Sequence, residues 1–223
     1  MPVMNEIDGL RAIMPRIKKE WVHEILIVDG NSTDGTREYL EENGYPFITQ
    51  SKPGLLIAWW EGFMAAKGDV VIPFSPDNNS VPEVIPLLIQ KMEEGNYDMV
   101  IASRYAPGAK HEDDDIPSYL ANRFLTGLIN ILFGGHYTDA LGMYRAWRKD
   151  LLKSLELDRN KDDIFEVLLS IRAAKKKIKV SEIPGDEPAR INKSDDSRAW
   201  PGLIGKIRGG LLMLKLIFRE FLF

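Results

Sequence analysis

Two apolar runs, each ending in a carboxylate-bearing turn and each leading into a helix, constrain this chain more than anything else in it. Val70 to Phe74 reads as a buried strand that breaks at Ser75-Pro76-Asp77-Asn78-Asn79-Ser80. Pro82 stands where a helix can open, because proline suits the first helical turn. Glu24 to Val28 is the second run, and it ends in Asp29-Gly30-Asn31-Ser32-Thr33-Asp34-Gly35-Thr36. In open α/β sheets, ligands bind beyond the carboxyl ends of such strands. Asp77 and Asn79 offer hard oxygens two residues apart, of the kind Mg²⁺ or Mn²⁺ takes when phosphate supplies the rest. On their own the same residues make an ordinary capped turn. The second copy of the geometry at Asp29 favours a site.

Together these stretches resemble glycosyltransferase family 2, the inverting enzymes with the GT-A fold. The resemblance rests on Ile27-Val28-Asp29-Gly30-Asn31-Ser32-Thr33-Asp34-Gly35-Thr36 and on Ser75-Pro76-Asp77-Asn78-Asn79, and it runs over nearly the whole chain in the family's order. Within the family the chain looks most like the polyprenol-phosphate (dolichol-phosphate mannosyltransferase-like) enzymes. The resemblance implies an α/β fold: a mixed, mostly parallel, Rossmann-like sheet flanked by helices over residues 1–200. Residues 201–223 would form an amphipathic helix.

Composition sets few bounds. The 223 residues are 44% hydrophobic, enough for a substantial core. Net charge is −4, from 29 basic and 33 acidic residues, which argues against nucleic acid as a partner. No cysteine is present, so disulfides and thiolate metal sites are excluded. The first residues include Asn5, Glu6 and Asp8 and lack an apolar segment, so no signal peptide is expected.

By resemblance, Pro2, Asn5 and Glu6 match a turn whose Glu side helps hold the nucleotide base. The strand that precedes this turn in the family is expected to be missing, through a late start or a sheet built around a gap. A helix is expected from about Ile7 to Lys18. Asp29 stands where the family's carboxylate binds the donor's ribose or base, whereas Asp34 reads as a helix cap. Ser75 replaces the first Asp of the metal motif. Asp77 and Asn79 remain as its metal ligands, and Ser75 and Asp77 count among the donor-binding residues. Pro53-Gly54 opens a donor-side loop, and of Trp59 and Trp60 at most one is expected deep in the core.

Arg104 ends the strand from Met99 to Ser103 and can grip a phosphate with its planar fork; a surface salt bridge is the alternative. The acidic stretch Ala106 to Asp115 reads as a solvated, flexible loop over the site. Ile116 to Phe133 carries an apolar stripe at Leu120, Phe124, Leu128 and Leu132, with Asn122 and Arg123 off it. The resemblance makes Arg123 a second phosphate candidate. Asp139 falls where acceptor-side carboxylates lie. For a hydroxyl acceptor it would be a general base; for a lipid phosphate it would organise the site, holding Arg145 or a metal-bound water. Phe165-Glu166 falls near the acceptor by the same likeness. Arg190 and Lys193 match a polar, mobile loop over the donor diphosphate. Leu203 to Phe223 is apolar but interrupted by Lys206, Arg208, Lys215, Arg219 and Glu220, which fits a helix lying in a membrane surface better than a span. A helix packed on the domain or on a second subunit is the alternative.

The implied function is sugar transfer, with inversion, from a nucleoside-diphosphate (UDP or GDP) sugar to a polyprenyl phosphate. It would occur at the inner, cytoplasmic face of a membrane, with Mg²⁺ or Mn²⁺ as cofactor and a homo-oligomer left open. Two rivals stand beside it: a family 2 transferase acting on a sugar or protein hydroxyl, and a non-catalytic nucleotide-sugar-binding subunit. A sugar nucleotidyltransferase would need a Gly-rich N-terminal phosphate loop, which is absent.

Overall fold

The computed structural model describes residues 1–157, 164–191 and 202–222. Its strands form two sheets. β1 (Pro2–Val3), β2 (Ile27–Asp29) and β3 (Phe47–Thr49) are parallel, in the order β1-β2-β3. The second sheet takes β4 (Val70–Val71), β5 (Met99–Ser103), β6 (Arg145–Arg148) and β7 (Val180–Pro184) in the order β4-β6-β5-β7. β6 runs antiparallel to both of its neighbours, and β7 runs parallel to β5. Pro2 and Val3, read from sequence as part of a turn, form a short strand paired with Val28 and Asp29. Behind them the two sheets remain separate.

Helices α1 (Ile7–Ile13), α2 (Thr36–Glu42), α3 (Leu55–Ala65), α4 (Ile85–Gly95), α5 (Ile116–Phe133), α6 (Leu151–Ser154), α7 (Phe165–Lys175) and α8 (Gly202–Leu222) cover the sheets. α1 stops five residues short of the expected Lys18. Pro15 lacks an N–H and clashes with a continuing helix, so the chain tightens into a 3-10 turn over Met14–Arg16. β5 shows why the central strands are apolar on both sides. Met99 and Ile101 pack toward α3, α5 and α7, while Val100 and Ala102 pack toward α4. Trp59 and Trp60 are both half-buried against the first of these cores, and Trp59 stacks on Phe63 at 5.9 Å.

On α5 the buried face is not the apolar stripe read from sequence. Leu125 and Ile129 are buried together with the polar Asn122 and Thr126, whereas Leu120 and Phe124 are 59% and 62% exposed. The polar pair is drawn inward by a buried carboxylate described below. α8 lies on α5 and α7, burying Leu216 and Ile217. Glu220 anchors it by accepting from Arg172 at 3.0 and 3.3 Å. Near its start Lys206 donates to Asp115, the residue that also caps α5 by accepting from the Ser118 amide. No described helix is long and apolar enough to cross a membrane.

Candidate active site

Three turns meet beyond the carboxyl ends of β1, β2 and the Val70–Phe74 run. Each contains an asparagine in the left-handed region: Asn5, Asn31 and Asn78, with φ of 56°, 64° and 80°. Asparagine tolerates that conformation better than other side chains bearing a Cβ, which explains its recurrence here. The first two turns are zipped together. Asn5 accepts from the Thr33 amide at 2.8 Å, and its own amide donates to Ser32 Oγ at 2.9 Å. The amides of Glu6 and Ile7 donate to Thr36 Oγ1 and Asp34 Oδ2, both at 3.1 Å. Asp34 is therefore structural, as its sequence position suggested. α1 then lies against the third turn at Gly9, where a Cβ would sit 2.5 Å from the Pro76 carbonyl oxygen. Only glycine permits that approach, and the Glu6 carboxylate lies at the same junction.

Asp29 is fully buried. Its oxygens accept from the amides of Asn31 and Ser32 at 3.1 and 3.2 Å, and Arg37 lies 3.5 Å away. Asp77 is differently placed, at 8% exposure. One oxygen accepts from the Asn79 amide at 3.1 Å, and the other faces the Arg190 guanidinium at 3.4 Å. Asn79 Oδ1 is buried without a hydrogen-bond partner among the described residues. A buried, unsatisfied amide oxygen beside a carboxylate is a donor set suited to a hard divalent cation. No group of three His, Cys, Asp or Glu side chains among the described residues forms a metal cage. The fit is thus to a cation that takes most of its ligands from elsewhere, and half-buried Ser75 adds no carboxylate.

A strap, residues 186–191, crosses this turn. Asn78 Nδ2 donates to the Ala189 carbonyl at 2.9 Å, and the Ile191 amide donates to the Asp77 carbonyl at 3.0 Å. The strap also binds the 106–115 loop: the Glu187 amide donates to the Lys110 carbonyl at 2.8 Å, and Lys110 N–H donates to Asp186 at 2.9 Å. The acidic loop is largely exposed, as expected, but three of its carboxylates have fixed partners. Asp113 pairs with Arg190 at 3.1 Å, Asp114 accepts from Tyr105 and faces Arg104, and Asp115 takes Lys206. Within the loop after Pro184, expected to be mobile, residues 186–191 are held by these same bonds. Lys193 lies outside the described residues.

Beneath the strap sits a second cluster. Arg104 Nε and Nη2 donate to the two oxygens of Asp139 at 2.7 and 3.1 Å. Asp139 is fully buried and also accepts from Asn122 at 3.1 Å and from the amides of Leu141 and Gly142. Burial works to raise its pKa, but Arg104, with Asn122 and Arg145, holds it below the usual carboxylate range. Asp139 therefore holds Arg104 and not Arg145, the partner suggested from sequence. Arg145 is buried too, spent on the Gly142 and Ala140 carbonyls and on Ser170 Oγ. Arg123 donates to the Thr138 carbonyl at 2.8 Å, and its guanidinium lies 5.9 Å from the Tyr105 ring centre. Phe165 is core, against Phe63 and Trp147. Burial raises the pKa of Glu166.

Three participants escaped sequence reasoning. Glu187 Oε2 lies 3.5 Å from Arg104 without a hydrogen bond among the described residues, and burial pushes the carboxyl pKa up to about 7 against the pull of that arginine. Glu182 accepts from the Thr138 and Asp139 amides and so fixes the Asp139 loop. Thr126, one turn after Asn122 on α5, bonds Asn122 and the Ala140 amide. The four-residue spacing of Asn122 and Thr126 was the visible signal, a polar pair on one face of an otherwise apolar helix.

Comparison with known proteins places the chain. Residues 1–155 match the model of glycosyl transferase family 2. A dolichol-phosphate mannosyltransferase of Pyrococcus furiosus is 32% identical over 194 residues, which is 82% of this chain and 54% of that protein. An undecaprenyl-phosphate mannosyltransferase of Micrococcus luteus is 27% identical, covering 82% of this chain and 80% of its own. The chain thus spans about half the length of the first relative and more of the second. Among solved structures, glucosyl-3-phosphoglycerate synthase of Mycobacterium tuberculosis in complex with UDP superposes with a TM-score of 0.66 at 20% identity, over 99% of this chain and 78% of that one. The same synthase is also known with Mn²⁺, UDP and glucosyl-3-phosphoglycerate. At that identity the likeness shows the fold, a GT-A arrangement with the sheet flanked by helices. By sequence, fold and motif order, the chain belongs to glycosyl transferase family 2.

Proposed function

We propose that this chain transfers a sugar, with inversion, from a nucleoside-diphosphate donor to a polyprenyl phosphate held at the cytoplasmic surface of a membrane. One observation carries the choice of acceptor. α5, which bears Arg123, exposes Ile116, Leu120, Phe124 and Ile131 along one side, at 59–82% exposure. α8 packs beside it and exposes Ile204, Ile207, Leu211, Phe218 and Leu222. Arg208, Lys215 and Arg219 flank that apolar ridge by their seven- and four-residue spacing. An exposed apolar surface of this extent on adjacent helices, edged by cations, suits the boundary of an anionic lipid layer. The relatives' names, dolichol-phosphate and undecaprenyl-phosphate mannosyltransferase, agree with it.

In this reading Asp77 and Asn79 hold Mg²⁺ or Mn²⁺, which when bound neutralises charge on the departing nucleoside diphosphate. Pro2 and Glu6 flank the donor's base at the zipped turns, and Asp29 shapes the turn beside it. Arg190 turns from Asp77 to the donor phosphates, with Lys193 following it in sequence. Arg104 and Arg123 receive the acceptor phosphate. That phosphate is already an anion, so its attack on the anomeric carbon needs no base. Asp139 is a positioning residue: both its oxygens are committed, and it aligns Arg104. A hydroxyl acceptor would instead require a free base at Asp139, which its partners and lowered pKa disfavour.

The test is transfer from radiolabelled UDP- and GDP-sugars, with Mn²⁺, into vesicles carrying a short polyprenyl phosphate. Label should pass into the organic extract. Leu120→Asp with Phe124→Asp should lower that transfer at least about tenfold while nucleotide binding stays intact. Transfer to a water-soluble acceptor but never to lipid would overturn the reading.

A further inference from the structure

Asp113, Asp114 and Asp115 are consecutive, and each is paired with a cation from a different part of the fold. Asp113 takes Arg190 of the strap at 3.1 Å. Asp114 faces Arg104, just past the end of β5, at 3.8 Å and accepts from the Tyr105 hydroxyl. Asp115 takes Lys206 of α8 at 2.5 Å, while its other oxygen caps α5 through the Ser118 amide at 2.9 Å. Neighbouring residues stand only about 3.8 Å apart along the backbone, so Asp115 cannot move far without the other two. The run is hinged ahead of these residues. Its loop leaves β5 through a turn in which the Ala109 amide donates to the Ala106 carbonyl at 3.1 Å and Gly108 takes a φ of 96°. Proline followed by glycine at the centre of a turn is the pattern of type II. The Glu187 amide on the Lys110 carbonyl and the Glu112 amide on the Glu187 carbonyl, at 2.8 and 2.9 Å, then join the loop to the strap.

Lys206 is where this chain of pairs reaches the apolar side of α8. Ile204 and Ile207, on either side of it in sequence, are 84% and 55% exposed. Asp115 keeps half of its side chain in solvent, and an exposed ion pair is weakly held. An anionic surface that meets Ile204 and Ile207 offers the Lys206 ammonium phosphate oxygens and repels the acidic run. It therefore favours the arrangement in which Lys206 and Asp115 are apart.

We propose that the run from Asp113 to Asp115 is an autoinhibitory anion mimic, holding Arg190 and Arg104 on carboxylates in place of phosphates, and that contact of the start of α8 with an anionic lipid surface releases it through Lys206. Arg104 and Arg190 are the phosphate-binding side chains of the proposed transfer, on which this inference rests. Away from a membrane the closed loop keeps both guanidiniums engaged. On the surface Lys206 exchanges Asp115 for lipid phosphates, and the loop swings from the strap about Gly108. Asp139 keeps Arg104 aligned when Asp114 leaves it. The surface binds Lys206 in the open arrangement alone, and such a differential contact is what shifts a two-state equilibrium.

The experiment follows hydrogen exchange at the Glu112 and Glu187 amides of the full chain bound to vesicles, with no nucleotide present. Vesicles of phosphatidylcholine alone are compared with vesicles that also contain phosphatidylglycerol. Both amides should exchange faster on the anionic vesicles by about fivefold, the low end of ordinary coupling between sites. Lys206→Met should exchange fast on both surfaces, and Lys206→Arg, which keeps the pair, should respond as the parent does. Asp113→Asn combined with Asp114→Asn should raise transfer on phosphatidylcholine vesicles by a similar factor. Equal exchange of the bound parent on both surfaces would overturn the proposal, as would a response that Lys206→Met leaves intact. So would unchanged transfer by the double variant of a chain that does transfer. Glycerol phosphate in solution acting as well as the anionic vesicles would overturn it too, because no surface would then be needed. A chain that binds neither vesicle would overturn this inference and the membrane placement together, whereas a bound chain with unchanged exchange leaves sugar transfer standing.

Discussion

Asp29 and Asp77 occupy equivalent places in sequence, each at the end of an apolar strand and each followed by an Asn- and Ser-bearing turn, yet the fold treats them differently. Asp29 is buried and satisfied by the amides of its own turn, within three residues. Asp77 shares its carboxylate between one local amide and Arg190, which stands 113 positions later in the chain. The first carboxylate is built into the backbone; the second is paired with a side chain that, used as proposed, would turn to the donor phosphates. A strand-end aspartate thus becomes a shape-holding or an exchangeable group according to whether its partners are local amides or a distant cation.

The comparison can be broken at either end. Asp77→Ala should show the largest effect: metal-dependent nucleotide binding and transfer should fall about 100-fold or more, the scale on which charge-stabilising groups act. The melting temperature should move little, since Asp77 holds few backbone groups. Calorimetric titration of UDP and GDP with and without Mn²⁺, beside a melting curve, checks both halves. Asp29→Ala should do the reverse. It strands two amides in a buried turn, at roughly 1–3 kcal/mol for each unsatisfied group, so the midpoint should drop by about 5 °C or more. Any nucleotide bound below that midpoint should still require the metal. A fall in binding without a fall in stability would place Asp29 on the ligand and erase the distinction.

The smallest effect sharpens the contrast at a third carboxylate. Glu187 is neither satisfied by amides nor exchangeable, and its pKa is raised from 4.5 to about 7. Between those values the unfolded chain releases a proton that the folded chain keeps, so this group lowers stability as pH rises through that window. Glu187→Gln should therefore match the parent near pH 4 and melt a few degrees higher at pH 8. Identical profiles would mean that Arg104 carries Glu187 as an ordinary ion pair.

Much of this was legible in the sequence because it is local. β3, β5 and α5 fall at the residues read from sequence, and Asp34 is structural as read, although Gly35 takes the N-cap place and Asp34 instead accepts from the Thr36 and Ile7 amides. The early end of α1 was written in Pro15 but outweighed by the apolar pattern around it. The rest is long-range. That Leu120 and Phe124 face outward follows from Asp139 drawing Asn122 and Thr126 inward, through contacts between α5 and a loop that share no sequence signal. The acidic run 112–115 is largely exposed, as composition suggests, but its partners Arg190, Arg104 and Lys206 stand up to 91 residues away. Glu187 gives no hint of burial from its neighbours in the chain. The pairing of Pro2 and Val3 with β2 was not read from sequence, because two residues are too few to show a pattern.

The crowding of carboxylates under the strap bears on the order in which ligands arrive. Asp77, Asp113, Asp114, Asp139 and Glu187 surround Arg104 and Arg190, so before any ligand enters, these described side chains of the cleft bring more negative than positive charge. A bare diphosphate approaching it meets repulsion, whereas a diphosphate already chelated to a divalent cation meets much less. Used as proposed, the site would be kinetically selective for the chelate, and the association rate for nucleotide would climb with cation concentration before it climbs with nucleotide. Added salt, which screens that repulsion, would speed the unchelated nucleotide most.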